Sequence, residues 1–345
     1  MEARETRGRP PLGLVAGNPN FPAAWSETVE KIKLADQLGY DSVWVAETWG
    51  YDPVASMAEL ALVTERIKIG SGILNVFSRT PGTIASTFAT LDERSGGRMI
   101  LGLGSSGANV IEHWHGVPFD RPLRRIREYV EIINLILRHE KLVYQGEIFK
   151  LERGFKLQFT PLRDHIPIYI AALTPKSIAQ TGAIADGILP TYWPSHEFPT
   201  LHRMLDEGAV AAGRPPGGTA IAPYITTAVV PEGDERAREI ARMKAREPIA
   251  FYVGRMGRFY AEMLARYGYA DEVAAIQRGW QEGPKAAVAA VSDKMLDATA
   301  IVGTPSEVRA KLREWAALGV DQPLISLPPG SSDAVAPILD ALVKD

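Results

Sequence analysis

The 345-residue sequence contains no cysteine. Disulfides, thiolate metal ligands and thiol nucleophiles are therefore excluded, and the absence fits a reducing compartment. Long apolar runs are missing too, none approaching the ~18 residues a membrane-spanning helix needs. Nor is there a surplus of charge: 38 Lys and Arg against 41 Asp and Glu leave a formal net charge of −3. Such a chain has no global field to gather nucleic acid or an anionic membrane, so the expected partner is a small molecule. Histidine is scarce, six in all. The tightest pair, His113 and His115, has a poor chelating spacing and no third ligand nearby, so no metal site is expected. The start, MEARETRGRPP, is polar and of mixed charge, which predicts a disordered tail over residues 1–10 and a cytoplasmic protein.

What is present is a regular alternation. Strand-like apolar runs fall at 12–17, 42–46, 67–74, 99–104, 166–172, 187–191, 220–230 and 323–327, each followed by a helical pattern. Residues 123–138 place Ile126, Val130, Ile133 and Leu137 on one face of an amphipathic helix. Thr304-Pro-Ser-Glu307 reads as a capping box. Eight strand–helix units imply parallel βαβ connections and a (β/α)8 TIM barrel. The expected organisation is one α/β domain over 11–345, with insertions near 141–160 and 234–297.

Gly102-Leu-Gly104-Ser-Ser-Gly107 matches the glycine spacing of a dinucleotide-binding fingerprint. That motif should open the first βαβ unit and be followed some 20 residues later by an acid at a strand end. Here three strand–helix units precede it, and the acids at that distance, Glu128 and Glu131, fall inside the amphipathic helix. The stretch reads better as a barrel strand ending in a small-residue loop at the carboxyl edge of the sheet, where α/β barrels place ligands.

Several motifs then coincide in order: Ser95-Gly-Gly-Arg98-Met-Ile-Leu-Gly-Leu-Gly104, Arg79-Thr-Pro81 with Thr90-Leu-Asp92, Trp114-His-Gly-Val-Pro-Phe119 with Arg127-Glu-Tyr129, and Ala185-Asp-Gly187. Together they resemble the bacterial luciferase-like superfamily, and within it the coenzyme F420-dependent oxidoreductases. The resemblance implies a luciferase-like TIM barrel, usually a homodimer, that holds F420 or, alternatively, FMN in its mouth. It implies hydride transfer between F420 and a small organic substrate. An FMN-dependent monooxygenase and a non-catalytic flavin- or deazaflavin-binding protein are the alternatives.

The resemblance also implies site residues. Gly72, Ile73 and Asn75 align with a strand bulge, often with a non-proline cis peptide, behind the cofactor ring. Gly104, Ser105, Ser106 and Gly107 face the ring or its ribityl chain, and Ala172, Leu173 and Thr174 take the phosphate. Related dehydrogenases carry a histidine base where this chain has Thr48, whose hydroxyl cannot act as a base near neutral pH. Reduction is therefore favoured over alcohol oxidation, with Glu47, Thr48 and His113 as catalytic candidates. Glu47 is also expected to contact the cofactor as a donor of protons or an acceptor of hydrogen bonds. Trp49, Tyr51, His115, Tyr192 and Trp193 are expected to line the substrate pocket.

Overall fold

The computed structural model describes residues 10–16 and 25–344; the expected tail over 1–10 falls almost wholly outside them. The main sheet is built from β1 (Gly13–Ala16), β2 (Ser42–Val45), β3 (Lys68–Ser71), β4 (Leu74–Asn75) and β5 (Met99–Gly104). An antiparallel pair, β6 (Leu142–Gln145) and β7 (Lys150–Phe155), stands apart as its own two-stranded sheet. The chain then returns through β8 (Ile168–Ile170), β9 (Gly187–Ile188), β10 (Ala220–Ile221), β11 (Tyr224–Val229), β12 (Ala300–Gly303) and β13 (Leu324–Ser326).

All ladders of the main sheet are parallel, in the order β10-β9-β8-β5-β3-β2-β1-β13-β11-β12, with β4 on β5. From β8 back to β1 the neighbours run in chain order, so there is no point of reversal like the one a dinucleotide fold places beside its ligand. The sheet is a curled parallel one. β12 is an addition: the sequence pattern assigns 234–297 to helices and shows no strand at 300–303.

Helix starts explain why the alternation was readable. Prolines 53, 81, 122, 175 and 305 sit in first turns, where the missing N–H costs nothing. Asp52, Thr80, Thr174 and Thr304 cap four of these helices, and the capping box between Thr304 and Glu307 is formed. One local expectation is corrected. Residues 108–121 show no clean helical period, yet Ala108–His113 is a short helix starting directly after Gly107. Six residues are too few for a period to register.

Inside the curl, large side chains sit over glycines. Trp44 lies over Gly70 and Tyr169 over Gly187, where an added Cβ would meet the rings at 2.5 and 2.4 Å. Trp44, Ile100, Leu189, Ala222 and Leu324 form this inner cluster, with Val15, Ile73, Tyr169, Ala171 and Tyr224 against it. The larger outer core lies between sheet and helices. Two helices there approach backbone to backbone: a Cβ at Gly182 would meet the Leu205 carbonyl at 2.0 Å, and one at Gly208 the Ala179 carbonyl at 1.9 Å.

Candidate active site

The carboxyl ends of β2, β4, β5 and β8 converge. The ladder from β3 to β5 pairs Gly70 with Ile100 and resumes with Leu74 on Leu103 and Asn75 on Gly104, so one strand spends one residue more than its partner. This is a β-bulge. Ser71 fills the gap: its Oγ donates to the Gly102 carbonyl and accepts from the Gly102 N–H, both at 2.8 Å. The Gly72–Ile73 peptide bond is cis. Gly72 must be glycine, because a Cβ would collide with the Tyr224 hydroxyl, which donates to the Gly72 carbonyl at 3.1 Å.

Beside the bulge, Glu47 is buried at the end of β2, its side chain 7% exposed. Oε2 accepts from Asn75 N and Asn75 Nδ2, both at 2.7 Å; Oε1 accepts from Ser78 Oγ at 3.2 Å and from Arg79 Nη1. Four donors thus converge on this one carboxylate, which accepts from each. Asn75 Oδ1 accepts from the Phe77 and Ser78 amides, at 2.9 and 2.8 Å. Its Nδ2 also lies 3.3 Å from His115 Nε2.

The loop Gly104–Gly107 lies alongside Ala171–Thr174. The Ala171 N–H donates to the Leu103 carbonyl at 2.9 Å, and a Cβ on Gly104 would stand 3.3 Å from that of Ala171. Ser106 has a left-handed φ of 56° and Ser105 Oγ donates to its carbonyl. Ala172 is buried and Leu173 and Thr174 are half-buried. The Thr174 hydroxyl and N–H are both committed to Ser177 in a capping box. A phosphate at this helix start would therefore meet the free N–H groups of Leu173 and Lys176 rather than Thr174 itself.

The two histidines differ in setting. His113, expected to be catalytic, ends its short helix exposed, and its ring makes no hydrogen bond to the described residues. His115, expected only to line a pocket, is the one that reaches Asn75. Thr48 is half-buried in the loop after β2. The four aromatics divide: Trp49 and Tyr51 are exposed, Tyr51 beside Trp25, whereas Tyr192 and Trp193 are buried. Trp193 packs on Tyr267 with centroids 4.7 Å apart.

Residues outside the expected site set complete the picture. Arg79 neutralises Glu47 and also pairs with Asp52. Tyr252 and Tyr260, from helices Glu235–Arg255 and Phe259–Leu264, pack on Tyr192 at 5.3 and 6.0 Å and on each other at 4.8 Å. Burial raises the pKa of Tyr192, Tyr224, Tyr252 and Tyr260, so all four are neutral phenols. The same segment reaches the glycine loop, since the Met256 carbonyl would lie 3.7 Å from a Cβ on Gly107. The spaced aromatic pattern FYVGRMGRFY over 251–260 belongs to the insertion expected near 234–297. Among the described residues no group of three metal-ligating side chains occurs, and no helix is long and apolar enough to cross a membrane.

A curled parallel sheet with a bulged third strand, facing a glycine–serine loop, defines the luciferase-like class. The family model for luciferase-like monooxygenases matches residues 6–322, and the chain belongs to that family. It is 33% identical to a Mycobacterium tuberculosis protein provisionally named a coenzyme F420-dependent oxidoreductase, covering 89% of this chain and 91% of that one. It is also 33% identical to the 5,10-methylenetetrahydromethanopterin reductase of Archaeoglobus fulgidus, over 87% and 89% of the two chains. Among solved structures, the coenzyme F420-dependent tetrahydromethanopterin reductase of Methanopyrus kandleri superposes with a TM-score of 0.80 at 25% identity, covering 98% of each.

Proposed function

We propose that this protein is an F420-dependent oxidoreductase that reduces a small organic substrate by hydride transfer. The observation that carries the reading is the bulge at Gly72–Ile73 set against Gly104–Gly107, in a chain whose 33%-identical relatives are named for F420 or for methylenetetrahydromethanopterin reduction. Gly72, Ile73, Asn75 and the Gly104–Gly107 loop would back the ring, and the helix start after Ala172, through the N–H groups of Leu173 and Lys176, would receive its phosphate. Bound there, the deazaflavin supplies two-electron hydride chemistry.

The direction follows from what the side chains can do. Taking a proton from an alcohol needs a free base, and neither candidate at the end of β2 is one: Glu47 is saturated by donors and Thr48 is a hydroxyl. The neutral phenols of Tyr192, Tyr252 and Tyr260 suit an uncharged substrate. The reading includes a closed (β/α)8 barrel. Residues 220–229 bond to the 187–191 run through Ala222 N and Tyr224 N and to β13 through Pro223 O, and the inner cluster draws on all eight expected runs. A homodimer in the cytoplasm completes it.

FMN is the second reading, because FMN-containing monooxygenases share the fold, as in the oxygenating component of a Pseudomonas putida diketocamphane monooxygenase at a TM-score of 0.70. Separate titrations with F420 and FMN, followed by fluorescence, test the choice. F420 is expected to bind the tighter; FMN binding without F420 binding would overturn the proposal.

A further inference from the structure

The hydrogen bonds around Asn75 determine which nitrogen of His115 carries its proton. The Asn75 amide is oriented without ambiguity: Oδ1 accepts two backbone N–H groups, so the other branch is the NH₂. That group has two hydrogens. One goes to Glu47 Oε2 at 2.7 Å, and His115 Nε2 lies in reach of the other at 3.3 Å. Nε2 must then accept, and the ring proton sits on Nδ1. A proton on Nε2 as well would point at the hydrogen of Asn75. Among the described residues Nδ1 has no acceptor, and His115 is half-buried.

We propose that Arg79, Glu47 and Asn75 form a relay that holds His115 as the neutral Nδ1–H tautomer, and that this N–H donates to a carbonyl oxygen of the bound deazaflavin ring. The second half rests on the cofactor reading above. Arg79 fixes the charge on Glu47, Glu47 fixes the amide of Asn75, and Asn75 fixes the imidazole; these three are positioning residues. The place is right for the ring edge: Asn75 closes the bulge and pairs with Gly104, the first residue of the loop that faces the cofactor. The chemistry is right as well, since a flavin-like pyrimidine edge carries carbonyl acceptors. A neutral imidazole donor polarises a carbonyl without surrendering its proton, as electrophilic histidines do in isomerases. This also separates His115 from His113, which the fold leaves exposed.

The test is nitrogen-15 NMR of the full-length protein with labelled histidine, the His115 signals assigned by their loss in His115→Gln. At neutral pH the cofactor-free protein is expected to show Nδ1 protonated and Nε2 not. Addition of F420 should protect the Nδ1 proton from exchange. His115→Phe should weaken F420 binding about tenfold, the value of one hydrogen bond of about 1.4 kcal/mol, and His115→Gln, which keeps a donor, should weaken it less. An Nε2–H tautomer or an imidazolium in the wild type overturns the relay. Wild-type affinity in His115→Phe overturns the contact. If the wild type binds no F420, the cofactor reading fails instead, and the tautomer measured in the free protein still decides the relay.

Discussion

The Glu47 carboxylate takes both donors of Asn75, backbone N–H and side-chain Nδ2, each at 2.7 Å. A residue at the end of one strand thereby fixes the main chain and the side chain of a residue in the next. Arg79 balances the buried charge from the other side. Glu47→Gln removes the charge and sets its own NH₂ against donors. We expect a loss of about 2–3 kcal/mol in stability, below the upper range for broken buried pairs because Arg79 keeps Asp52. Urea unfolding measures it; a change under about 0.5 kcal/mol would show the network to be incidental.

Gly72 and Tyr224 are coupled in a way a double-mutant cycle can read. Tyr224→Phe loses the hydrogen bond to the Gly72 carbonyl and should cost about 1 kcal/mol. Gly72→Ala places a methyl group where the Tyr224 hydroxyl already is, and within 2.7 Å of its Cζ. Its cost should exceed about 3 kcal/mol. With the hydroxyl removed the clash is relieved in part, so the double variant should be more stable than the sum of the two by at least about 1 kcal/mol. Strict additivity would mean that the two residues do not share the space.

His165 and Asp186 give a pH dependence of known sign. The hydrogen bond to Asp186 raises the His165 pKa. Burial works to raise that of Asp186, but hydrogen bonds from His165 and from the Ile168 amide overcome it and hold it low. The histidine's contribution is fully present below its unfolded pKa of about 6.5 and is lost as the pH rises through its higher folded value. The aspartate's is present above its unfolded pKa of about 3.9 and is lost as the pH falls through its lower folded value. The pair therefore stabilises most between those limits. Both side chains are partly exposed, so the effect stays under about 1 kcal/mol. Thermal melts of His165→Gln against the parent should differ most in mildly acidic buffer and converge at alkaline pH; a gap that widens with pH would reverse the assignment.

The strands were legible because their apolar runs are bounded by capping residues and prolines, signals that act within a few positions. β12 escaped because four residues, Ala300–Gly303, follow a helix with no turn residue between them. The bulge at Gly72-Ile73 is legible only through the family resemblance, since two glycines in a strand do not by themselves mark one. The partners that give the site its character were not legible. Arg79 lies 32 residues from Glu47, and Tyr224 152 residues from Gly72. No local pattern encodes such a pairing. The sequence assigns His113 to catalysis and His115 to the pocket without showing where either ring lies: the short helix that ends at His113 leaves that ring exposed and brings His115 to Asn75.

One residue of the motifs that carry the resemblance, Arg98, serves the architecture of the sheet. Arg98 precedes β5, at the opposite end of that strand from Gly104. Its five N–H donors are all used: Nε to Ser95 O, Nη1 to Thr64 Oγ1 and Ile67 O, and Nη2 to Ala61 O and Thr64 O, at 2.7 to 2.9 Å. One side chain thus ties the ends of two helices to the start of β3. In parallel α/β sheets of this kind the amino-terminal edge serves stability and the carboxyl-terminal edge serves chemistry. Arg98→Lys supplies three donors from a single point and cannot match the fork, so it should cost about 2–4 kcal/mol of stability. F420 affinity of the folded variant, measured well below its melting temperature, should stay within about twofold of the parent, because less than about 0.5 kcal/mol of coupling is expected between sites this far apart. A selective loss of F420 binding at unchanged stability would place this arginine in the site after all.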